Sequence, residues 1–324
     1  VNKIRRLASF AVMTGIAAMA GIITSSAHAA GFPEKEVNVI VNFGPGGVTD
    51  LMTRELAREM EAELGKPVVV TNKPGALGTL GPAYLARQKP DGYQVAVMSS
   101  SALTIAPHLM STPYTLKDFD FIAGYGRFRY GVVVRADSPY KSMRDLVEAA
   151  KAGKSIFFGS PSTPNSLVMF DLGQKTGAKF EQVSYKSGPD TMAALMGGQV
   201  EVIVPNPSDV MGYIKTGKLR LLASAGQVRW PEFPDVPTIR ESGYPVAMDA
   251  WVGLAVPKGS PAEVLARLQA AVRTAMNSPR LLAAYKNIGV DPVNLTGEEY
   301  NKLLLRDVEE MGKLIKAANL PRNN

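Results

Sequence analysis

The sequence contains no cysteine, which excludes a disulfide scaffold, thiol catalysis and thiolate metal sites. Histidine is nearly as scarce. Of the two present, one lies in the N-terminal leader and the other, His108, stands in "APHLMS" with no metal-ligand spacing around it. A solvated or helix-capping role suits such a lone imidazole better than catalysis. No G-x-S-x-G nucleophile elbow occurs. Carboxylate pairs such as Glu309-Glu310 sit on an amphipathic stretch, where a solvated face is the default. No Lys/Arg-rich run interleaved with aromatics appears, so nucleic acid is not an expected partner. These absences favour a binding protein over an enzyme, with no catalytic residue, metal or cofactor expected.

What is present begins with a leader. Lys3, Arg5 and Arg6 form a basic start, "LASFAVMTGIAAMAGII" an apolar middle, and Ala27-His28-Ala29 a small-x-small exit. That order predicts a signal peptide over residues 1–29, cleaved near Ala29, and a periplasmic mature chain. A membrane anchor is the competing reading, since the apolar run is about long enough to span, but its small residues and exit favour cleavage. Without the leader the formal net charge falls from +7 to +4. Mild positive charge suits an anionic small molecule. Roughly 295 residues remain, enough for a large core and commonly divided into two domains.

Along the chain, strand-like runs alternate with amphipathic helical ones. "VNVIVNF" places Val37, Val39, Val41 and Phe43 on one face, and "DLMTRELAREMEAELG" sets Leu51, Leu56, Met60 and Leu64 among charges before Gly65. "PVVV" (67–70) and "YQVAVMSS" (93–100) continue the first block. A second block runs from "YGVVVRAD" (130–137) through "SIFFGS" (155–160), "FEQVSY" (180–185) and "VEVIVPN" (200–206) to "LRLLASAG" (219–226), with helices between. A proline-rich surface segment (230–245) precedes one more strand, "WVGLAVP" (251–257), and two closing helices. This alternation predicts βαβ units and an α/β fold of two lobes, each a mainly parallel sheet flanked by helices, around a central cleft. Strand carboxyl ends facing such a cleft are the usual place for a ligand.

Several loops fit that position. In "VNFGPGGVTD" (41–50), Gly46 and Gly47 permit close backbone approach, and Thr49 or Asp50 suits a helix N-cap. The N–H groups of 46–49 and the helix start would then favour a carboxylate or phosphate. A connection that binds nothing is equally compatible with the stretch alone. "NKPGALGTLG" (72–81) lacks the spacing of a dinucleotide fingerprint. "SSSALT" (99–104), "GSPSTPNS" (159–166) and "SYKSGPD" (184–190) add hydroxyls and glycines ahead of helices.

These motifs, in this order, resemble the periplasmic solute receptors of tripartite tricarboxylate transporters, the Bug family. The resemblance rests on "FPEKEVNVIVNFGPGGVTDLMTRELAREMEAELGKPVVVTNKPGALG", "ARQKPDGY", "SSSALTIAPHL", "YKSGPDTMAALMGGQVEVIV", "IKTGKLRLLASAG" and "FPDVPTIRESGYP". It implies a monomeric Venus flytrap that captures a small organic anion (a dicarboxylate, tricarboxylate or aromatic acid) and delivers it to membrane permease subunits. Lobe 1 would comprise residues 30–128 plus 251–324, and lobe 2 residues 129–250. The ligand-binding residues implied are Phe43, Gly46, Gly47, Thr49, Asp50, Ser99, Ser100 and Thr104 from the first lobe. From the second come Ser160, Tyr185, Lys186, Ser187 and Asn206. A bare carboxylate beside an anion is repulsive, so Asp50 is expected to cap the turn or pair with a ligand donor.

Two departures bear on the ligand. Where many relatives read "SHLAGE" this chain reads "SLVMFD" (166–171), adding bulk at Met169 and Phe170. Where a pattern like "FDN" is common it reads "VPN" (204–206), with Pro205. If these positions faced the ligand, they would favour a less polar, even aromatic, acid without an ammonium group. Alternatives to an import receptor are a receptor that signals to a membrane sensor and an exported α/β enzyme acting on a carboxylate.

Overall fold

The computed structural model describes residues 31–185 and 187–322, so the signal-peptide expectation and Lys186 lie outside the described residues. The alternating run at the start forms strand β1 (Val37–Val41). Val37, Val39 and Val41 enter one apolar core, and Ile40 enters another on the opposite face. Helix α1 (Val48–Leu64) follows because Met52, Leu56, Met60 and Leu64 recur every four residues and are buried, and Gly65, at φ 69°, ends it in the left-handed region. The chain continues through β2 (Val68–Asn72), α2 (Leu80–Leu85), β3 (Gln94–Ser99), α3 (Ala106–Leu109) and the ten-residue β4 (Phe119–Phe128).

It then crosses to a second sheet through β5 (Gly131–Arg135), α4 (Met143–Lys151), β6 (Ile156–Ser160), α5 (Thr163–Thr176) and β7 (Phe180–Ser184). After these come α6 (Gly188–Met196), β8 (Val202–Ile203), α7 (Pro207–Lys215) and β9 (Leu219–Ser224). The return is made by β10 (Ala250–Pro257), then α8 (Ala262–Ala275), α9 (Pro279–Ile288), β11 (Asp291–Thr296) and α10 (Gly297–Ala317).

Among the described residues the strands form two sheets, ordered β11-β4-β10-β3-β1-β2 and β7-β6-β8-β5-β9. Each has a parallel core, β2-β1-β3 in one and β7-β6-β8 in the other. Both are mixed rather than mainly parallel. The strands that carry the chain between sheets, β4, β5, β9 and β10, run antiparallel to their neighbours.

Three further differences from the sequence reading have packing reasons. β4 was hidden by Gly124 and Gly126. A Cβ there would lie 2.9 Å from the Tyr300 ring and 2.1 Å from the Met52 methyl, so these glycines admit large side chains against a central strand. The segment 230–245 is not wholly surface: Trp230 and Ile239 are fully buried, and the Trp230 indole N–H donates to the Tyr130 carbonyl at 3.2 Å. The chain closes on three helices and a strand, not two helices, and the last turns of α10 leave the first sheet. Leu314 and Ile315 pack in the core of the second, with Ile105 and Leu109. His108 accordingly faces α10, 2.9 Å from the Val308 carbonyl.

Candidate functional site

The carboxyl ends of β1 and β3, the crossings between the sheets and the start of α5 enclose a cavity of about 140 Å³. Phe43, Thr49, Ser99 and Ser100 line it from the first sheet, with Ser101, Leu77 and Ile105 beside them. Ser162, Thr163 and Pro164 line it from the second, and Phe128, Tyr130, Ala250 and Trp251 from the crossings. A second cavity of about 480 Å³ adjoins it, sharing Leu77, Ser162 and Thr163 and adding Ser160, Phe170, Gln182 and Tyr185 among others.

The turn of 44–47 is built around Asp50. Its Oδ2 accepts from the Gly46 N–H and Arg54 Nε, each at 2.9 Å, and its Oδ1 accepts from Asn72 Nδ2 at 2.8 Å. Burial acts to raise this carboxyl's pKa, but the bonds from Arg54, Gly46 and Asn72 outweigh it and hold the group below its usual range. Asp50 therefore braces the turn. The helix N-cap is Gly47, not Thr49 or Asp50, and it brings no side-chain cap. Gly46 takes φ 78° and its N–H is bonded to Asp50, so neither it nor Gly47 lines the cavity. Thr49 does, at the second helical position of α1.

Asn42 fixes the floor. It is buried, and Nδ2 donates to the Gly78 carbonyl at 3.0 Å and to Ser99 Oγ at 2.9 Å. A Cβ on Gly78 or Gly81 would come within 2.7 and 2.9 Å of Asn42, so those glycines serve close packing around one amide. The same loop holds Leu77 at φ 56°, an uncommon conformation for a branched side chain. Ser100 Oγ accepts the Trp251 N–H at 2.8 Å and so ties β3 to the returning β10. Thr104, in the helical turn Ser101–Ile105 that precedes α3, is directed back along the chain, donating to the Ser100 carbonyl at 2.8 Å, and does not line the cavity.

On the other side, α5 starts at Thr163 after Ser162, whose hydroxyl donates to Asn165 Oδ1 instead of capping the helix. Asn165 Nδ2 in turn donates to the Val204 carbonyl at 2.6 Å, anchoring the helix start to the residue just after β8. Ser160 Oγ lies 2.7 Å from Ser166 Oγ and faces the second cavity, as does Tyr185. Ser187 lines neither cavity: it caps α6, accepting the Asp190 N–H at 3.3 Å. Asn206 lines neither as well and donates to the Arg129 carbonyl at 3.0 Å, beside the crossing. Met169 is fully buried in the second core, Phe170 borders the second cavity, and the Pro205 carbonyl accepts the Gly131 N–H.

The two long helices that begin at the cavity, α1 and α5, both lack a side-chain cap. Ser142, Ser187, Ser278 and Thr296 cap α4, α6, α9 and α10; α7 and α8 are also uncapped, away from the cavity. The starts of α1 and α5 therefore bring a partial positive charge to the cavity from both sheets, through Thr49 on one side and Thr163 on the other, while Pro164 contributes no N–H. Burial, and secondarily the Asp249 carboxylate, pushes the Tyr130 phenol up, keeping it neutral on the wall. No group of His and acidic residues able to hold a metal occurs among the described residues.

Two α/β sheets joined by strand crossings over a ligand-sized cavity define a two-lobed periplasmic binding protein. The chain belongs to the tripartite tricarboxylate transporter family receptors, whose profile matches residues 52–320. It is 31% identical to Protein BugT of Bordetella pertussis over 98% of both chains. Among solved structures it is similar to a TctC solute binding protein from Polaromonas, with TM-score 0.79, 30% identity and coverage of 88% of this chain and 99% of that one. It also resembles MatC from Rhodopseudomonas palustris with bound malate, with TM-score 0.73, 25% identity and coverage of 88% and 100%. No helix among the described residues is long and apolar enough to cross a membrane.

The hydroxyl-rich loops that line the cavity were recognisable in the sequence as loops ahead of helices. Leu77, Phe128, Tyr130 and Trp251 were missed. Only the left-handed strain at Leu77 and the convergence of distant crossings mark them, and both require coordinates.

Proposed function

We propose that this chain is a periplasmic solute-binding receptor that captures one small organic carboxylate in the cavity and delivers it to a tripartite tricarboxylate transporter. The observation that carries this reading is the pair of uncapped starts, α1 and α5, facing one cavity from opposite sheets. Helix starts of this kind bind anions through backbone N–H groups. The malate held by the related MatC supports the same ligand chemistry.

In this reading Thr49, Ser99, Ser100, Ser162 and Thr163 surround the carboxylate, while Ser160 and Tyr185 extend the site. Closure brings lobe 1 (30–128 plus 251–324) onto lobe 2 (129–250). Asp50, Thr104, Ser187 and Asn206 act as supports rather than contacts. A thermal-shift series over carboxylates tests it: a ligand raises Tm with the logarithm of its concentration. A Thr49→Val/Thr163→Val variant should lose roughly tenfold in affinity, about 1.4 kcal/mol. A full panel without a shift, or a variant that binds like wild type, would count against the site.

A further inference from the structure

Away from the two helix starts the cavity wall is mostly apolar: Phe43, Leu77, Ile105, Phe128 and Trp251 face it beside the neutral hydroxyls of Ser99, Ser100, Ser101 and Tyr130, and no Lys, Arg or His lines it among the described residues. The adjoining cavity has no charged lining residue among the described residues either. The arginines that flank the lining residue Phe128 in sequence are committed elsewhere. Arg127 binds Asp291 and stacks on Trp251 at 5.7 Å, and Arg129 binds Glu232 in bidentate fashion. Each helix start offers roughly half a positive charge, so two of them match about one carboxylate. A second carboxylate would be desolvated on the apolar wall, or held in the adjoining cavity by neutral groups such as Ser160, Gln182 and Tyr185, in either place without a counter-charge among the described residues.

We propose, building on the carboxylate-receptor reading, that the ligand bears a single carboxylate on an aromatic or branched apolar body, and that Leu77 determines this preference. Leu77 stands where the two cavities meet, held at φ 56° by a loop that packs on Asn42. Its side chain forms the wall on which a second polar group would have to rest.

Isothermal titration of the purified protein with arylcarboxylates (benzoate and 3-phenylpropionate) and with succinate, adipate and citrate tests the class. The monocarboxylates are expected to bind at least tenfold more tightly. Tighter binding of the di- or tricarboxylates would overturn this inference while leaving the carboxylate-receptor reading standing; binding of no carboxylate at all would overturn both. Leu77→Lys, a partly exposed loop change, is expected to shift the affinity ratio toward dicarboxylates by at least tenfold, and Leu77→Ala to weaken the monocarboxylates alone. An unchanged ratio in Leu77→Lys would remove Leu77 from the role.

Discussion

Asp50 shows how a residue that reads as a ligand contact becomes a support. Three donors converge on its buried carboxylate, and Asp50→Ala would leave the Gly46 N–H without its acceptor and the Asn72 amide with only the Phe43 carbonyl. The expected cost is about 1–3 kcal/mol, measured by urea unfolding at neutral pH. Because the folded-state pKa is lowered, this contribution is fully present above the ordinary value of 3.8 and is lost as pH falls through the folded value. The gap between wild type and variant should therefore close in acid. A gap that persists unchanged below the folded value would show that the carboxylate's charge is not what braces the turn.

At the scale of elements, the glycines of the two loops have different duties. Gly47, at φ −71°, would set a Cβ 3.3 Å from the Gly44 carbonyl and nothing else, and it does not line the cavity. Gly78, at φ 86°, would press on the Asn42 amide that positions Ser99. Gly78→Val is thus expected to reduce ligand affinity by tenfold or more and to lower stability, and Gly47→Val to do much less of both. Titration and unfolding of the two variants side by side would check this, and equal losses would refute it. Much at this scale was legible in sequence. α1 announces itself by Leu56, Met60 and Leu64 and a terminal glycine, although Leu51, read as part of that face, is exposed and Met52 takes its place in the core, and β1 and β3 by apolar runs that lead into hydroxyl- and glycine-rich turns. β4 was not legible, because Gly124 and Gly126 erase its pattern to make room for Tyr300 and Met52. Trp230 was hidden among prolines that usually mark surface, although the space beside Gly131 buries it.

Across the whole molecule the crossings matter most, and they carry no local sequence signature. Arg129, nearly buried, donates to Glu232 at 2.7 and 3.1 Å, and its Nε lies 2.9 Å from Asp291 Oδ1 in an ion pair without hydrogen-bond alignment. Arg127 holds the other oxygen of Asp291 at 2.6 Å. Glu232 belongs to the segment after β9 and Asp291 to β11, so Arg129 links the two sides of the crossing. Burial acts to raise the Glu232 pKa, and Arg129 more than reverses it. Arg129→Ala should cost about 3–5 kcal/mol, since it strands a partly buried carboxylate; a loss below about 1 kcal/mol, typical of exposed pairs, would show the link to be incidental.

The central claim is that two helix starts from opposite sheets hold one carboxylate between them. Calorimetric titration of the wild-type protein with the tightest carboxylate of the panel and with its primary amide tests this most directly. The account predicts one saturable site for the acid and at least tenfold weaker binding of the neutral amide; equal affinities for the two would contradict it.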